Sequence, residues 1–219
     1  MKVVIYGATG MIGEGALIEC LEDPGVEAVL AVVRKPTGRS DPKLKELILK
    51  DFNDYSEVEE QLSGYDACLF CLGISAGGMD EERYRVITYD YAVAAGEALL
   101  RKNPEMRMCF ISGAGTDVGS RQMWARVKGE AEQALLAMPW RSAHMFRPAA
   151  IQPLKGVISG VASYRVMYTL LGWSFPLWRA LFPNQVTTSV ILGQALLRVA
   201  RDGYEKDILE GADINRVGS

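Results

Sequence analysis

The feature that most constrains the fold is a glycine turn near the start of the chain, with the spacing G-x-x-G-x-x-G. It follows the apolar run 3–6 and opens the stretch 11–21, which has the pattern of a helix. A strand that leads through glycines into a helix lets the backbone approach a diphosphate, and the helix N-terminus offers it free N–H groups and a partial positive charge. The pattern therefore predicts a diphosphate-binding turn. The residues predicted to form it are Gly7, Thr9, Gly10, Met11, Ile12 and Gly13.

Strand and helix patterns alternate along the rest of the chain. The candidate strands are short and apolar at nearly every position, as in a parallel sheet covered on both faces: Lys2–Tyr6, Ala28–Val33, Leu44–Leu49, Ala67–Leu72, Met106–Ser112 and Ser142–Phe146. The candidate helices are Met11–Leu21, Tyr55–Leu62, Glu81–Arg101, Gln122–Ala137 and Thr188–Arg201. This alternation predicts an α/β fold with a doubly wound parallel sheet, the Rossmann fold, and right-handed crossovers.

The length of 219 residues suits a single domain. We expect residues 1–148 to form a cofactor-binding core and residues 149–219 a small C-terminal segment that covers the substrate. The apolar run 166–178 is too short to span a bilayer and is flanked by Arg165 and Arg179. Buried packing is the simplest interpretation of this run; a lid, a dimer face or a membrane-touching patch are the alternatives.

Composition excludes several classes of partner and site. The net charge is −3 and no long basic block is present, so we expect no nucleic acid partner. The first strand begins at residue 2, which leaves no room for a signal peptide, and we expect a cytoplasmic protein. Cys68 and Cys71 form a C-x-x-C, but on a strand they point to opposite faces. With one histidine in the chain we expect reduced thiols and no metal site.

The end of the second predicted strand indicates which dinucleotide binds. An acidic residue at this point binds the ribose 2′-OH of NAD, whereas a basic one accommodates the 2′-phosphate of NADP. The chain has Arg34 and Lys35 there and no acid, so we expect NADP in preference to NAD.

Two further strand ends complete the predicted crevice, because ligands of such sheets bind beyond the carboxyl ends of the strands. Asp51 and Phe52 follow the third strand, where a carboxylate meets the adenine amino group and an aromatic ring flanks the base. Leu72 and Gly73 end the fourth strand, where bare backbone approaches a ribose.

The chain resembles the extended and atypical short-chain dehydrogenases/reductases, most closely their NmrA-like and Tat-interacting-protein-like branch. The residues that carry the resemblance, over residues 1 to about 150, are the glycine turn, Arg34, Lys35, Asp51, Phe52, Ser112 and Lys128. The resemblance implies NAD(P) binding on a Rossmann fold. It also allows a homodimer, since the fourth and fifth helices form the dimer face in many relatives.

The resemblance assigns catalytic positions and reveals one departure. The family uses a serine after the fifth strand and a Tyr-x-x-x-Lys pair on the next helix, in which tyrosine gives a proton to the carbonyl that accepts hydride. Ser112 and Lys128 match, but Trp124 occupies the tyrosine position, and an indole N–H does not serve as a proton donor. Lys128 is also expected on the cofactor ribose, and the family's Arg-Pro step, here Arg147 and Pro148, faces the nicotinamide.

Three functions fit these residues. The first is an NADP(H)-dependent oxidoreductase with an altered proton donor, acting on a small apolar carbonyl. The second is a non-catalytic NADP(H)-binding regulator or redox sensor, which the tryptophan favours. An NAD(P)-dependent epimerase or dehydratase is the third and weakest candidate. Those enzymes also depend on the Tyr–Lys pair, whose tyrosine is replaced here by Trp124.

Overall fold

A computed structural model describes residues 1–157, 178 and 181–219, in which strands and helices alternate. The strands are β1 (Lys2–Tyr6), β2 (Ala28–Val33), β3 (Leu44–Ile48), β4 (Ala67–Phe70), β5 (Arg107–Ile111), β6 (Ser142–Arg147), β7 (Ala150–Gln152), β8 (Val186–Thr188) and β9 (Ile208–Glu210). The helices are α1 (Met11–Glu22), α2 (Glu81–Arg85), α3 (Tyr91–Lys102), α4 (Met123–Leu136), α5 (Ser189–Asp202) and α6 (Gly211–Gly218).

Seven strands form one parallel sheet in the order β3-β2-β1-β4-β5-β6-β9. The strand order reverses direction at β1, so the crevice between the carboxyl ends of β1 and β4 is the point where this fold binds its ligands. The prediction of a doubly wound α/β fold is confirmed.

The sheet is buried on both faces by two separate apolar clusters. Along β1, Val3 and Ile5 pack into the cluster that contains α1 and α5, while Val4 and Tyr6 pack into the cluster that contains α3 and α4. Alternate residues of a strand point to opposite faces, and apolar residues at every position therefore fill both layers. Each large side chain buried in this way contributes about 1.5–3 kcal/mol to folding.

Two predicted helices differ from the structure. The segment 55–62 is helical only as a single 3-10 turn at Glu59–Leu62. Its Tyr55 is buried against Tyr6, and the Asp54 carboxylate accepts a hydrogen bond from the Ser56 backbone N–H at 2.9 Å. The packing of Tyr55 against Tyr6 and the hydrogen bond from Ser56 to Asp54 thus stabilise a turn where a helix was predicted.

The predicted helix 81–101 is interrupted by a π turn at Val86–Asp90, between α2 and α3. Two ion pairs tie the N-terminal part to α4, Arg126 to Glu81 at 2.7 Å and Arg85 to Glu130. The extra residue of a π turn shifts the helix face, and apolar periodicity alone does not reveal such an insertion.

The C-terminal residues contain three strands that the sequence analysis missed. β7 and β8 pair in a separate two-stranded parallel sheet, and β9 extends the main sheet beside β6. Each is three residues long, too short for a periodic signal. Within the predicted covering segment 149–219, α5 and β9 therefore belong to the layers of the core, while the apolar run 166–178 lies outside the described residues except for Trp178.

The two cysteines of the C-x-x-C lie on different sides of the sheet. Cys68 belongs to the cluster with α3 and α4, and Cys71 packs against the cluster with α1 and α5. Both are free thiols, as are Cys20 and Cys109. The prediction that the pair is kept apart by strand geometry is confirmed.

In the ranges that the structure describes, no helix combines the length and the apolar character needed to cross a membrane.

Candidate functional site

The glycine turn between β1 and α1 is shaped by contacts that exclude side chains. Gly7 has a φ of +77°, and a Cβ placed there would lie 2.7 Å from the Cα of Leu72 at the end of β4. A Cβ at Gly13 would lie 2.1 Å from the Gly7 carbonyl oxygen. The Gly10 N–H donates to that same oxygen at 2.9 Å. Glycine is required at Gly7 for the backbone conformation and at Gly13 for the close approach of the helix to the turn.

The N-terminus of α1 opens towards this turn. Gly10 is its N-cap and has no side chain that bonds to the first amides. The N–H groups of Met11, Ile12 and Gly13 thus have no intrahelical acceptors and are available to an anion. The one acidic residue of the first turn, Glu14, pairs with Arg39 at 2.7 Å. This pair offsets a negative charge that would otherwise oppose a bound phosphate.

A cleft of about 730 Å³ lies at the carboxyl ends of β1, β2 and β4. It is lined by Gly7, Thr9, Gly10, Val32, Val33, Arg34, Lys35, Pro36, Thr37, Phe52, Cys71, Leu72 and Gly73. The charged side chains among these residues are Arg34 and Lys35, both exposed and both cationic. No acidic residue is among them, so the field inside the cleft favours an anion.

The loop that carries the two cations is held in place by Glu46 of β3. Its carboxylate accepts hydrogen bonds from the backbone N–H of Thr37, at 2.8 Å, and from the Thr37 hydroxyl. The Thr37 hydroxyl in turn accepts from the N–H of Arg39 at 3.2 Å. These bonds fix the residues that directly follow Arg34 and Lys35. Neither Thr37 nor Glu46 belongs to the dinucleotide pattern, so the sequence alone does not predict their role.

The structure separates Asp51 from Phe52. Phe52 is buried, lines the cleft and packs its ring 6.1 Å from that of Tyr6, between ring centroids. Asp51 is exposed, does not line the cleft, and accepts a hydrogen bond from the Asn53 N–H at 2.9 Å. It therefore stabilises the turn after β3.

Ser112 lies directly after β5, beside the cleft. The parallel pairing of β4 with β5 ends at Phe70 and Phe110, two residues before Leu72 and Ser112. The Ser112 side chain is buried, and its Oγ lies 2.9 Å from the Thr116 Oγ. Because the Thr116 hydroxyl donates to the Gly113 carbonyl at 2.8 Å, the Ser112 hydroxyl is the donor in this pair. The Ser112 hydroxyl proton therefore takes part in the hydrogen bond to the Thr116 Oγ.

Lys128 lies on α4 and reaches the same loop. Its Nζ donates to the carbonyls of Ile111, at 3.3 Å, and Ser112, at 3.2 Å, and lies 5.8 Å from the centroid of the Phe110 ring. Burial of the ammonium lowers the pKa of Lys128 to about 8, although the negative charge of Glu132 acts in the opposite direction.

Trp124, in the family's tyrosine position, has its six-membered ring near the loop after β5. Cβ atoms placed on Gly113 and Gly115 would be 3.9 and 3.7 Å from its six-membered ring. The indole N–H donates to the Gln122 side-chain oxygen at 2.9 Å, and the residue is half-buried. Ser112, Trp124 and Lys128 thus contact one loop; the Ser112 hydroxyl and the Trp124 N–H are hydrogen-bonded, and the Lys128 ammonium uses two of its three N–H donors.

Arg147 contacts α4 through its side chain, whereas Pro148 contacts the loop after β5 through its backbone carbonyl. The Arg147 guanidinium pairs with the buried Glu132 of α4 and, at 3.3 Å, with Glu210 at the end of β9. The Pro148 carbonyl accepts from the Ala114 N–H at 3.0 Å. The arginine side chain is therefore part of the packing between β6 and α4, and the backbone of Pro148 supports the loop after β5.

We expect the Lys128 amine to titrate near pH 8. In a titration followed by NMR of ¹³C-labelled lysine, one side-chain resonance that is missing from Lys128→Met should shift with a midpoint close to that pH. Because the folded-state pKa is below the unfolded value of 10.5, wild type should gain stability relative to Lys128→Met as the pH rises from 8 towards 10.5. A midpoint above about 10, the ordinary lysine range, would contradict this environment.

A doubly wound sheet with a glycine turn, a cationic loop and bare backbone around one cleft defines a dinucleotide-binding protein. A family model described as NAD(P)H-binding matches residues 7–138, and the chain belongs to this family. Binding of a pyridine nucleotide and membership of the atypical short-chain dehydrogenases/reductases are thereby confirmed.

Curated relatives from several fungi carry the name "Protein FMP52, mitochondrial". The protein from Candida albicans is 23% identical over 223 residues, which cover 97% of this chain and 96% of that protein. The protein from Eremothecium gossypii is 28% identical over 155 residues, which cover 69% of this chain and 66% of that protein. These names contradict the predicted cytoplasmic location, which was wrong: a first strand that begins at residue 2 does not distinguish between compartments.

Among solved structures, MoeE5 in complex with UDP-glucose and NAD aligns with a TM-score of 0.68 at 16% identity. The alignment covers 95% of this chain and 74% of that chain. The alignment shows that the similarity in fold extends beyond residues 7–138, which the family model matches.

Proposed function

We propose that the chain is an NADP(H)-dependent oxidoreductase that reduces a small apolar carbonyl compound without the family's tyrosine. One observation carries the cofactor preference. The cleft beyond β2 has Arg34 and Lys35 as its charged lining residues, where an NAD-specific site has a carboxylate. Two cations at this point would attract the negatively charged 2′-phosphate of NADP.

Phe52, Leu72, Gly73 and the glycine turn are assigned because they line the cleft, whereas Asp51, Lys128, Arg147 and Pro148 are assigned from the resemblance alone. The free amides at the start of α1 would bind the diphosphate, and Phe52 would pack beside the adenine, with Asp51 near its amino group. The backbone of Leu72 and Gly73 would contact one ribose and the Lys128 side chain the second, and the backbone at Arg147 and Pro148 would face the nicotinamide. When bound, the cofactor supplies the hydride; the chain binds and orients it.

A regulator or sensor without turnover is the second candidate. It is favoured by the hydrogen bonds of the Ser112 hydroxyl to Thr116 and of the Trp124 N–H to Gln122, which leave neither group free to protonate a substrate. Calorimetric titration with NADPH, run in parallel with NADPH oxidation against a panel of carbonyl compounds, separates the two functions. Tight binding with turnover supports the oxidoreductase; tight binding without turnover on any compound supports the sensor.

The hydrogen bonds that Glu46 accepts from Thr37 hold the loop that carries Arg34 and Lys35, and this contact can be tested by substitution. Glu46→Ala removes the acceptor of both Thr37 hydrogen bonds, so the loop loses its fixed geometry and NADPH affinity should fall about fivefold. NADH affinity should change less, since NADH has no 2′-phosphate. Glu46→Gln retains an acceptor oxygen and serves as the matched control. Unchanged NADPH affinity in Glu46→Ala would show that the hydrogen bonds between Glu46 and Thr37 do not position Arg34 and Lys35.

We further propose that residues 1–148 bind the cofactor and that the substrate is covered from within residues 149–219. The relatives' names support a mitochondrial location for this chain. The homodimer and the NmrA-like branch stay predictions.

A further inference from the structure

The loop that carries Arg34 and Lys35 is joined to α1 as well as to β3. The Arg39 guanidinium donates a hydrogen bond to the Glu14 carboxylate at 2.7 Å. The backbone of Arg39 is tied to the same loop, because its N–H donates at 3.2 Å to the hydroxyl of Thr37, a residue that lines the cleft. Residues 34–39 therefore connect the end of β2 to the first turn of α1.

Glu14 occupies a sensitive position on α1. It lies in the first turn of the helix, directly after the three residues whose N–H groups are available to an anion. The Glu14 N–H donates to the Gly10 carbonyl at 2.7 Å and is not available itself. Because helical side chains tilt towards the N-terminus, the Glu14 carboxylate lies within one turn of the free amides. An unpaired carboxylate at this point favours the empty helix and repels a bound diphosphate.

The pair between Arg39 and Glu14 matters for charge more than for folding. The two side chains are 38% and 27% exposed, and a pair as exposed as this contributes little to stability. Within the part of the chain that the structure describes, Arg39 is the one basic residue that forms an ion pair with Glu14. Without Arg39, the carboxylate would therefore keep its full negative charge beside the predicted phosphate site.

We propose that Arg39 is a positioning residue of the cofactor site, which acts through Glu14 and sets the affinity for the diphosphate that NADP(H) and NAD(H) share. This inference rests on the proposed binding of the diphosphate at the start of α1. Arg34 and Lys35 would attract the 2′-phosphate and so distinguish the two cofactors, whereas Arg39 neutralises Glu14 and affects both cofactors equally. The loop after β2 thus has two separate electrostatic roles.

The test is calorimetric titration of the full chain with NADPH and with NADH at low ionic strength. The variants are Arg39→Ala, Glu14→Gln and the two substitutions together. Arg101→Ala is the matched control, since it makes the same change in net charge and breaks an ion pair of 2.9 Å with Glu59, and neither of these residues lines the cleft. The urea midpoint of each variant separates an effect on binding from an effect on folding.

We expect Arg39→Ala to weaken the binding of both cofactors about fivefold, because the Glu14 carboxylate is then unpaired. Adding Glu14→Gln should return both affinities to within about twofold of wild type, since a neutral amide does not repel the diphosphate. Glu14→Gln alone should bind both cofactors at least as tightly as wild type does. Arg101→Ala should change both affinities by less than about twofold.

Three results would overturn the inference. Arg39→Ala may bind both cofactors as wild type does, it may lose affinity for NADPH alone, or its loss may persist when Glu14→Gln is added. The second result would place Arg39 at the 2′-phosphate, and the third would show that Arg39 acts on the cofactor without Glu14. Wild type that binds neither cofactor would instead overturn the proposed function, and the first titration shows this outcome.

Discussion

Replacing Gly13 with alanine should abolish dinucleotide binding and lower the free energy of unfolding by about 3 kcal/mol. The added Cβ would lie 2.1 Å from the Gly7 carbonyl oxygen and 3.0 Å from the Ala8 nitrogen, and both neighbours are backbone atoms that cannot rotate away. Helix α1 must therefore move off the turn, and the amides that face the diphosphate move with it. We expect an NADPH dissociation constant raised by at least about 100-fold, measured by calorimetry, together with a lower urea midpoint.

Gly10→Ala is the matched control for this substitution. A Cβ at Gly10 would meet a single atom within 4 Å, the Gly7 carbonyl oxygen at 3.4 Å, which is an ordinary contact. The variant should retain the fold and the urea midpoint of wild type, so it controls for the effect on stability. If Gly13→Ala unfolds at the same urea midpoint as Gly10→Ala and binds NADPH as tightly as wild type, the close approach of α1 to the turn is not what builds the phosphate site.

The double substitution Arg34→Glu with Lys35→Glu has the second large expected effect. It replaces the two cations that line the cleft with carboxylates, so an attraction for the 2′-phosphate becomes a repulsion. NADPH affinity should fall by at least about 100-fold, while NADH affinity, which involves no such phosphate, should change by less than about threefold. The selectivity between the two cofactors should thus reverse.

The control for long-range charge is Lys45→Glu with Lys50→Glu. Both lysines are exposed and neither lines the cleft, so this pair makes the same change in net charge at a distance from the cations. NADPH affinity should fall only slightly. An equal loss in both double variants would mean that the overall field, and not contact with Arg34 and Lys35, determines binding.

The parts of the site that could be predicted are those fixed by local sequence. Gly7, Gly10 and Gly13 determine the turn because their contacts lie within a few residues and against one strand end. Arg34 and Lys35 could be placed since a parallel sheet brings the ends of its strands to one edge. The two-sided burial of β1 was likewise visible in its unbroken apolar run.

What escaped prediction depends on partners that are distant in sequence or on side-chain orientation. Glu46 looks like any exposed strand residue until its bonds to Thr37 are seen. The Tyr-to-Trp departure was evident at Trp124, but its bond to Gln122 and its packing on the loop were not. Asp51 fits the adenine pattern, yet in the structure its carboxylate binds the local backbone.

The central claim is that the cationic loop beyond β2 selects NADP(H), and calorimetric titration of the wild-type chain with NADPH and with NADH tests it most directly. Contact between two cations and a 2′-phosphate should make NADPH bind at least about tenfold more tightly at low ionic strength, with the advantage shrinking as salt is added. Equal affinities, or tighter binding of NADH, would contradict the claim.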